Sequence, residues 1–298
     1  MVALNRFALV STSLLLALLV AAIGSGCVPS SPIRIVREIP DAKGVVVRPG
    51  GGALAYVVQD AAYIEQAFTL TSWDATPALP VGRPTKSGMS VSATRSGLYV
   101  SFYQRVAYSP WAGSLESTLP ALARAYVSSS PSGARLVADW GRLPSNTGRD
   151  PWPVIVDRSR KDKSRVWQTT PNFGGGLAWL SDSQFLFDTE PYGSVGPISV
   201  ATLRPDGRVS IKKTGLTGYC PAPSPDGAFW AYSDRRYRLV IYDVAAKREV
   251  ASWDAPMKHG DVGRSVAWAD STHVLFADRP DGTPRLWVLD VSGAVHSR

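Results

Sequence analysis

The sequence predicts an all-β chain: a six-bladed β-propeller of four-stranded antiparallel blades, its ring closed by an N-terminal strand. Three observations lead there. A unit of apolar strand, small polar turn and apolar strand recurs from end to end of the chain. The spacing between copies is close to that of a four-stranded propeller blade. The two ends of the chain complement each other, because the last copy is one strand short while an orphan strand stands near the N-terminus.

The copies read "RPGGGALAYV" from Arg48, "ATRSGLYVSF" from Ala93, "SSPSGARLVA" from Ser129, "WLSDSQFLFD" from Trp179, "PSPDGAFWAY" from Pro223 and "WADSTHVLFA" from Trp268. Their fifth residues are Gly52, Gly97, Gly133, Ser183, Gly227 and Thr272, so the intervals are 45, 36, 50, 44 and 45 residues. In the fifth copy Ser224, Pro225, Asp226 and Gly227 suit positions i to i+3 of a type I turn. The bulky run Ala228 to Tyr232 behind it suits a mostly buried strand. Ahead of the turn, Pro221 and Pro223 point toward one edge and leave it without N–H donors, which only an edge strand tolerates. In a propeller the first strand of each blade lines the channel and is such an edge.

Three copies can be divided fully into strands. The fourth gives "GGLAWL", "QFLFDTE", "PISVATL" and "RVSIKKT", and the fifth "YCPAPS", "AFWAYSD", "RLVIYDV" and "REVASWD". The sixth gives "RSVAWA", "HVLFAD", "PRLWVLD" and a short "AVHSR". Since "PIRIVREI", Pro32 to Ile39, has no blade of its own, ring closure by that strand is the economical solution.

Residues 1–26 hold one charge, Arg6, and the apolar run "FALVSTSLLLALLVAAIGSG". These are the parts of a secretory signal. The division expected is therefore a signal peptide at 1–26, an anchored N-terminus with the ring-closing strand at 27–43, and the propeller at 44–298. Cys27 and Cys220 are the only cysteines, so no disulfide framework holds the fold. Cys220 reads as a small buried thiol of a packed strand. The formal charge is +8, and its densest basic run, Asp157 to Arg165, sits between "WPVIV" and "RVWQ" where a solvated hairpin turn is expected.

"SPDG" followed by an aromatic-aliphatic strand and then "LVIYD", ending in Asp243, resembles the TolB-type repeats of bacterial propellers, relatives of WD-repeat blades. That resemblance covers nearly all of the chain after the signal, with the full motif in the fifth copy. It implies a scaffold for protein partners in the cell envelope and transfers no catalytic residue. TolB carries a further α/β domain before its propeller, and none is readable here. "IGSGC", Ile23 to Cys27, resembles a bacterial lipobox, with Gly24 where that pattern prefers Leu. Acylation of Cys27, an uncleaved apolar anchor and plain cleavage all remain open, and all three place the domain outside the cytoplasm.

Catalytic signatures are sparse. The triplets Gly50 to Gly52 and Gly174 to Gly176 lack the Lys-Ser/Thr of a phosphate loop and read as turn and strand-entry glycines. No G-x-S-x-G elbow and no His pair four residues apart occurs. His259 and Asp261 lie in "MKHGDVGR", which leads into the sixth copy with Arg264 behind it. With Asn172 and Tyr219 they are the candidate binding residues of the channel mouth. His259, Asp261 and Arg264 could bind a small anion or a metal ion, but a loop simply rich in polar residues accounts for them better, because a metal site needs three or four ligands where two can be named. No metal and no cofactor is therefore expected. His273 reads as structural, and Trp179, Trp230, Trp268 and Trp287 read as filler between facing sheets. "SWDA" occurs at Ser72 and at Ser252, at strand ends that need not be equivalent.

The expected function is a membrane-anchored extracytoplasmic scaffold, monomeric, for a protein or envelope-polymer partner; nucleic acid is not expected at that address. The alternative is a metal-dependent lactonase or hydrolase of the six-bladed type. The first-strand starts, Val45, Met89, Ala125, Gly176, Tyr219 and Arg264, are poor metal ligands. No separate hydrolase domain exists in this chain for the propeller to assist.

Overall fold

The computed structural model describes residues 32–86, 89–102, 105–111, 117–118, 126–139, 154–157, 165–168, 176–188, 195–206, 208–254, 265–278 and 283–296. The chain enters at β1 (Arg34–Pro40) and runs through β2 (Ala42–Val47), β3 (Leu54–Gln59), β4 (Ile64–Leu70) and β5 (Leu79–Lys86). A second group is β6 (Ser90–Ala93), β7 (Gly97–Phe102), β8 (Arg105–Pro110) and β9 (Ser117–Thr118); a third is β10 (Tyr126–Ser129), β11 (Arg135–Asp139), β12 (Val154–Asp157) and β13 (Arg165–Gln168). Next come β14 (Leu177–Ser181), β15 (Gln184–Asp188), β16 (Gly196–Leu203), β17 (Val209–Pro223), β18 (Phe229–Ser233), β19 (Leu239–Asp243) and β20 (Arg248–Trp253). The chain ends with β21 (Ser265–Trp268), β22 (His273–Asp278), β23 (Arg285–Asp290) and the short helix α1 (Ser292–Val295).

Neighbouring strands pair antiparallel in chain order, as short hairpin connections dictate. The described residues form four four-stranded sheets and one of seven strands, β14 to β20. β17 explains the larger one. Val209 to Lys213 pair with β16, while Tyr219, Ala222 and Pro223 pair with β18. The outer strand of one four-stranded unit thus continues as the first strand of the next. Pro221 and Pro223 lie in that first-strand half, where among the described residues no further strand pairs. Their missing donors therefore leave no ladder bond unmade.

Strands such as β3 and β18 read as continuous apolar runs because each buries both faces. Phe229 and Ala231 of β18 pack with Trp268, Phe276 and Trp287, whereas the alternate residues Trp230 and Tyr232 pack with Leu186 and Ile198. Leu54 and Tyr56 of β3 meet Leu275 and Val288, and Ala55 and Val57 meet Leu98 and Val100. Side chains alternate across a strand, so successive residues serve two different neighbouring sheets. The core is the series of seams between sheets.

The repeated turns share one mechanism. In the fifth copy the Gly227 N–H donates to Ser224 O at 2.9 Å, the Phe229 N–H to Ser224 Oγ at 2.9 Å, and the Ala228 N–H to Asp226 Oδ1 at 3.0 Å. Ser130 to Arg135 repeat that pattern, with the Gly133 N–H to Ser130 O at 2.8 Å and the Arg135 N–H to Ser130 Oγ at 3.1 Å. Neighbouring turns also hold one another: Arg48 Nε donates to Arg95 O, the Arg95 N–H to Pro131 O, and the Ser132 N–H to Asp182 Oδ1, each at 2.9 Å.

β1 pairs antiparallel with β23, from Arg34 opposite Asp290 to Pro40 opposite Arg285. Arg34 bridges Asp290 at 2.5 Å and Arg285 bridges Glu38 at 2.7 Å. Ile33 and Ile39 are buried. The N-terminal strand thus supplies the fourth strand of the last sheet. The short strand expected over "AVHSR" is corrected: residues 292–295 form α1, which buries Ala294 and Val295. β1 already occupies that edge of β23, and the Ser292 N–H donates to Asp290 Oδ1 at 2.9 Å, turning the chain away from the sheet.

Candidate binding surface

Of the residues expected at the channel mouth, Tyr219 lies among the described residues; Asn172, His259, Asp261 and Arg264 lie outside them, as do Cys27 and the basic run at 158–164. Tyr219 is buried at the start of the first-strand half of β17, opposite Ser233. Its ring meets that of Tyr237 edge-on, with centroids 6.3 Å apart.

Tyr237 was not singled out by the sequence, and neither was Tyr63. Both stand in turns between the second and third strands of a unit, at the end where first strands begin. Asp60 Oδ1 accepts the N–H groups of Ala62 and Ile64 at 2.9 and 2.8 Å, and Asp234 Oδ1 accepts those of Arg236 and Arg238 at 2.8 and 2.9 Å. The same brace places Tyr63 at φ 59° and Tyr237 at φ 64°. A bulky residue in the left-handed region is uncommon and costly, so each brace offsets strain to present a ring. Tyr63 is 70% exposed. Beside Tyr237, Arg238 is held by Asp234 at 2.8 Å and by Ser252 Oγ at 3.0 Å, while Arg235 and Arg236 are exposed. The signal was present as Asp-x-x-Tyr in "DAAY" and "DRRY", but no propensity assigns tyrosine to such a position.

Two buried carboxylates serve first-strand entries at the same end. Glu65 is buried in an ion pair with Lys43 and accepts the Met89 N–H at 2.6 Å. Asp188 Oδ2 accepts the N–H groups of Gly176 and Cys220 at 3.1 and 3.2 Å. The carboxylate missing from the strand starts is thus supplied by neighbouring strands, but it is engaged by backbone donors. Among the described residues no group of three His, Cys, Asp or Glu is arranged to hold a metal ion. Burial, with Glu249 and Asp234 next in weight, pushes the Tyr232 phenol up to about 12, so it stays protonated and is no base near neutrality. Cys220 departs from the buried-thiol reading: it is half-buried at φ 51°, bent there as the chain passes from one unit into the next.

At the opposite end, His273 and Trp73 stack with centroids 4.2 Å apart, and Asp270 joins them through His273 Nδ1 and Trp73 Nε1, each at 3.0 Å. Burial works against ionised Asp270, but the Thr272 N–H and the His273 ring hold its carboxyl below the usual range. The nearby hydroxyl, Thr272 Oγ1, faces the same Nδ1 that Asp270 holds, so no relay from nucleophile through base to carboxylate forms. The cluster clamps the segment after β4 to the turn before β22. It also separates the two "SWDA" copies: Ser72 follows a third strand, whereas Ser252 lies in a fourth strand, β20.

No family model matches the sequence, and no curated protein does. Solved structures do. The β-propeller domain of Cps50 (Swd1) from Myceliophteria thermophila superposes with a TM-score of 0.58 at 12% identity, covering 87% of this chain and 100% of that one. TolB from Acinetobacter baumannii gives 0.56 at 16% identity, covering 80% of this chain and 65% of that one. Together with the antiparallel four-stranded units, these likenesses show the fold of this chain to be a β-propeller.

Proposed function

We propose that this chain is a six-bladed propeller, closed by β1, that is held at the outer side of a cell membrane through a lipidated Cys27 and acts as a monomeric scaffold. Its partner is a protein or envelope polymer, and the propeller performs no chemistry of its own. The observation that carries the binding reading is the pair of Asp-braced tyrosines, Tyr63 and Tyr237, with Arg235 and Arg236 exposed beside the second. Tyrosine and arginine are the residue types that dominate interface energetics, and a ring fixed in advance loses little freedom on binding. Engagement of Glu65 and Asp188 by backbone donors favours binding over the metal-lactonase alternative. The likeness to TolB, whose resemblance implies an envelope scaffold, supports the same reading.

Photo-crosslinking residues placed in living cells at Tyr63, at Tyr237 and at Ile211 as a control test it. A discrete adduct from the first two that is lost on Arg235→Glu with Arg236→Glu is expected. Equal adducts from all three positions would sink the reading. For the anchor, labelled palmitate is expected to enter the wild type and not Cys27→Ala; label surviving that substitution refutes acylation at Cys27.

A further inference from the structure

Large apolar side chains exposed among the described residues are Ile35, Val36, Tyr63, Leu79 and Ile211. Three of them belong to one seam. Ile35 and Val36 lie in β1 and Leu79 opens β5, while Arg37 Nη1 of β1 donates to Trp73 O at 2.5 Å and Ala75 O at 3.1 Å in the segment leading to β5. The exposure of Ile35 and Val36 has a structural cause. The register of β1 against β23 shifts between Ile35 and Arg37, a bulge at Val36. In an unbroken strand one of two successive side chains turns inward; here both remain about 45% exposed (47% and 44%). Two arginines are exposed on the strands that carry these side chains, Arg34 on β1, 69% exposed in its side chain with one guanidinium nitrogen on Asp290, and Arg83 on β5, and the acidic Glu38 and Asp74 are exposed on β1 and on the segment leading to β5.

We propose that this seam, Ile35, Val36 and Leu79 with Arg34 and Arg83, rests on the membrane interface and engages anionic lipid headgroups. The inference builds on the lipid anchor proposed for Cys27. Cys27 precedes Arg34 by seven positions, so an anchored cysteine keeps β1 within about 24 Å of the headgroups even when the intervening chain is fully extended. Aliphatic side chains that dip into the interface, framed by guanidinium groups that reach phosphate, are the chemistry of peripheral membrane contact. The seam would add a protein contact to the lipid anchor, and two membrane signals hold more firmly than one. The seam then faces the bilayer.

The test uses the full chain, processed in cells and reconstituted into vesicles, in a Cys220→Ser background. An environment-sensitive fluorophore is placed at Val36→Cys or, as a control, at Ile211→Cys on β17. In phosphatidylcholine vesicles containing phosphatidylglycerol, spin-labelled lipid is expected to quench the position-36 probe about twofold or more over the position-211 probe, as interfacial burial requires. Arg83→Glu is expected to reduce that quenching in anionic vesicles and leave it unchanged in neutral ones. A position-36 probe quenched no more than the control, on acylated protein that stays with the vesicles, would overturn the membrane seam. Protein lacking an acyl group at Cys27 but still quenched at position 36 would overturn the anchor and uphold the seam.

Discussion

Gly176 and Gly227 must both be glycine, for opposite reasons. A Cβ on Gly176 would sit 2.4 Å from Cys220 Cα and 2.6 Å from Cys220 N, where two units meet backbone to backbone. Gly227 has open space around it but adopts φ 72°. Gly176→Ala is expected to cost about 1–3 kcal/mol by overpacking. Gly227→Val is expected to cost about 1–2 kcal/mol through backbone strain alone, and Gly227→Asn clearly less, since Asn tolerates that region. Denaturant titrations of the three variants check this; equal losses for Val and Asn at 227 would show that φ is not the cause.

Asp290 gives a prediction in pH. The Ser292 hydroxyl and N–H, with Arg34 beyond them, hold its carboxyl well below the usual carboxylate range. Because the folded value is depressed, its stabilisation is fully present above the unfolded value of about 3.9 and is lost as pH falls toward the folded one. Asp290→Asn should therefore be less stable than the wild type at pH 7, with the two curves drawing together only as pH falls below about 4 toward the folded value. Parallel curves across that window would refute a role for the ionised form.

Among the elements, β1 decides the most. It contributes a fourth strand to the sheet of β21 to β23, and Ile33 just before it and Ile39 within it are buried in two different seams. Removing residues 27–40 exposes the edge of β23 and both seams, an aggregation hazard. That truncation is expected to lower the melting temperature and make the protein associate, whereas removing residues 27–31 does neither. Light scattering and thermal unfolding distinguish the outcomes; a longer truncation that stays monomeric and equally stable would show that the last sheet is self-sufficient. The pairing was legible because a strand without a sheet and a sheet without a strand stood at opposite ends of the chain. α1 was not legible, because "AVHSR" has no helical period and its turn depends on Asp290 beyond an edge already filled by β1.

For the molecule as a whole, the proposed role is binding without metal chemistry, and mass action gives a direct check. A ligand that binds the folded state alone at a hundred times its Kd adds about 2.7 kcal/mol of stability. Saturating Ca²⁺, Mg²⁺ or Zn²⁺ is expected to leave the melting temperature unchanged. A rise of several degrees with one of them would reinstate the metalloenzyme reading.

The sequence by itself determined what repeats and what is local: the antiparallel hairpins, the Ser-Pro-Asp-Gly turn, the proline-bearing first strand and the all-β class. Those features follow from turn chemistry and from strands buried on both faces, which a short stretch of residues already specifies. Only the tertiary structure decided the surface proposed to bind. Tyr63 and Tyr237 are ordinary tyrosines until an aspartate three residues earlier takes two backbone N–H groups and forces each into the left-handed region. Tyr219 acquires its neighbour only when β17 passes from one unit to the next and brings it beside the turn after β18. Glu65 and Asp188 likewise reach first-strand entries that lie 24 and 32 residues further along the chain, at Met89 and Cys220. A local pattern carries no record of such partners, because they are fixed by how sheets pack around one another rather than by the residues on either side.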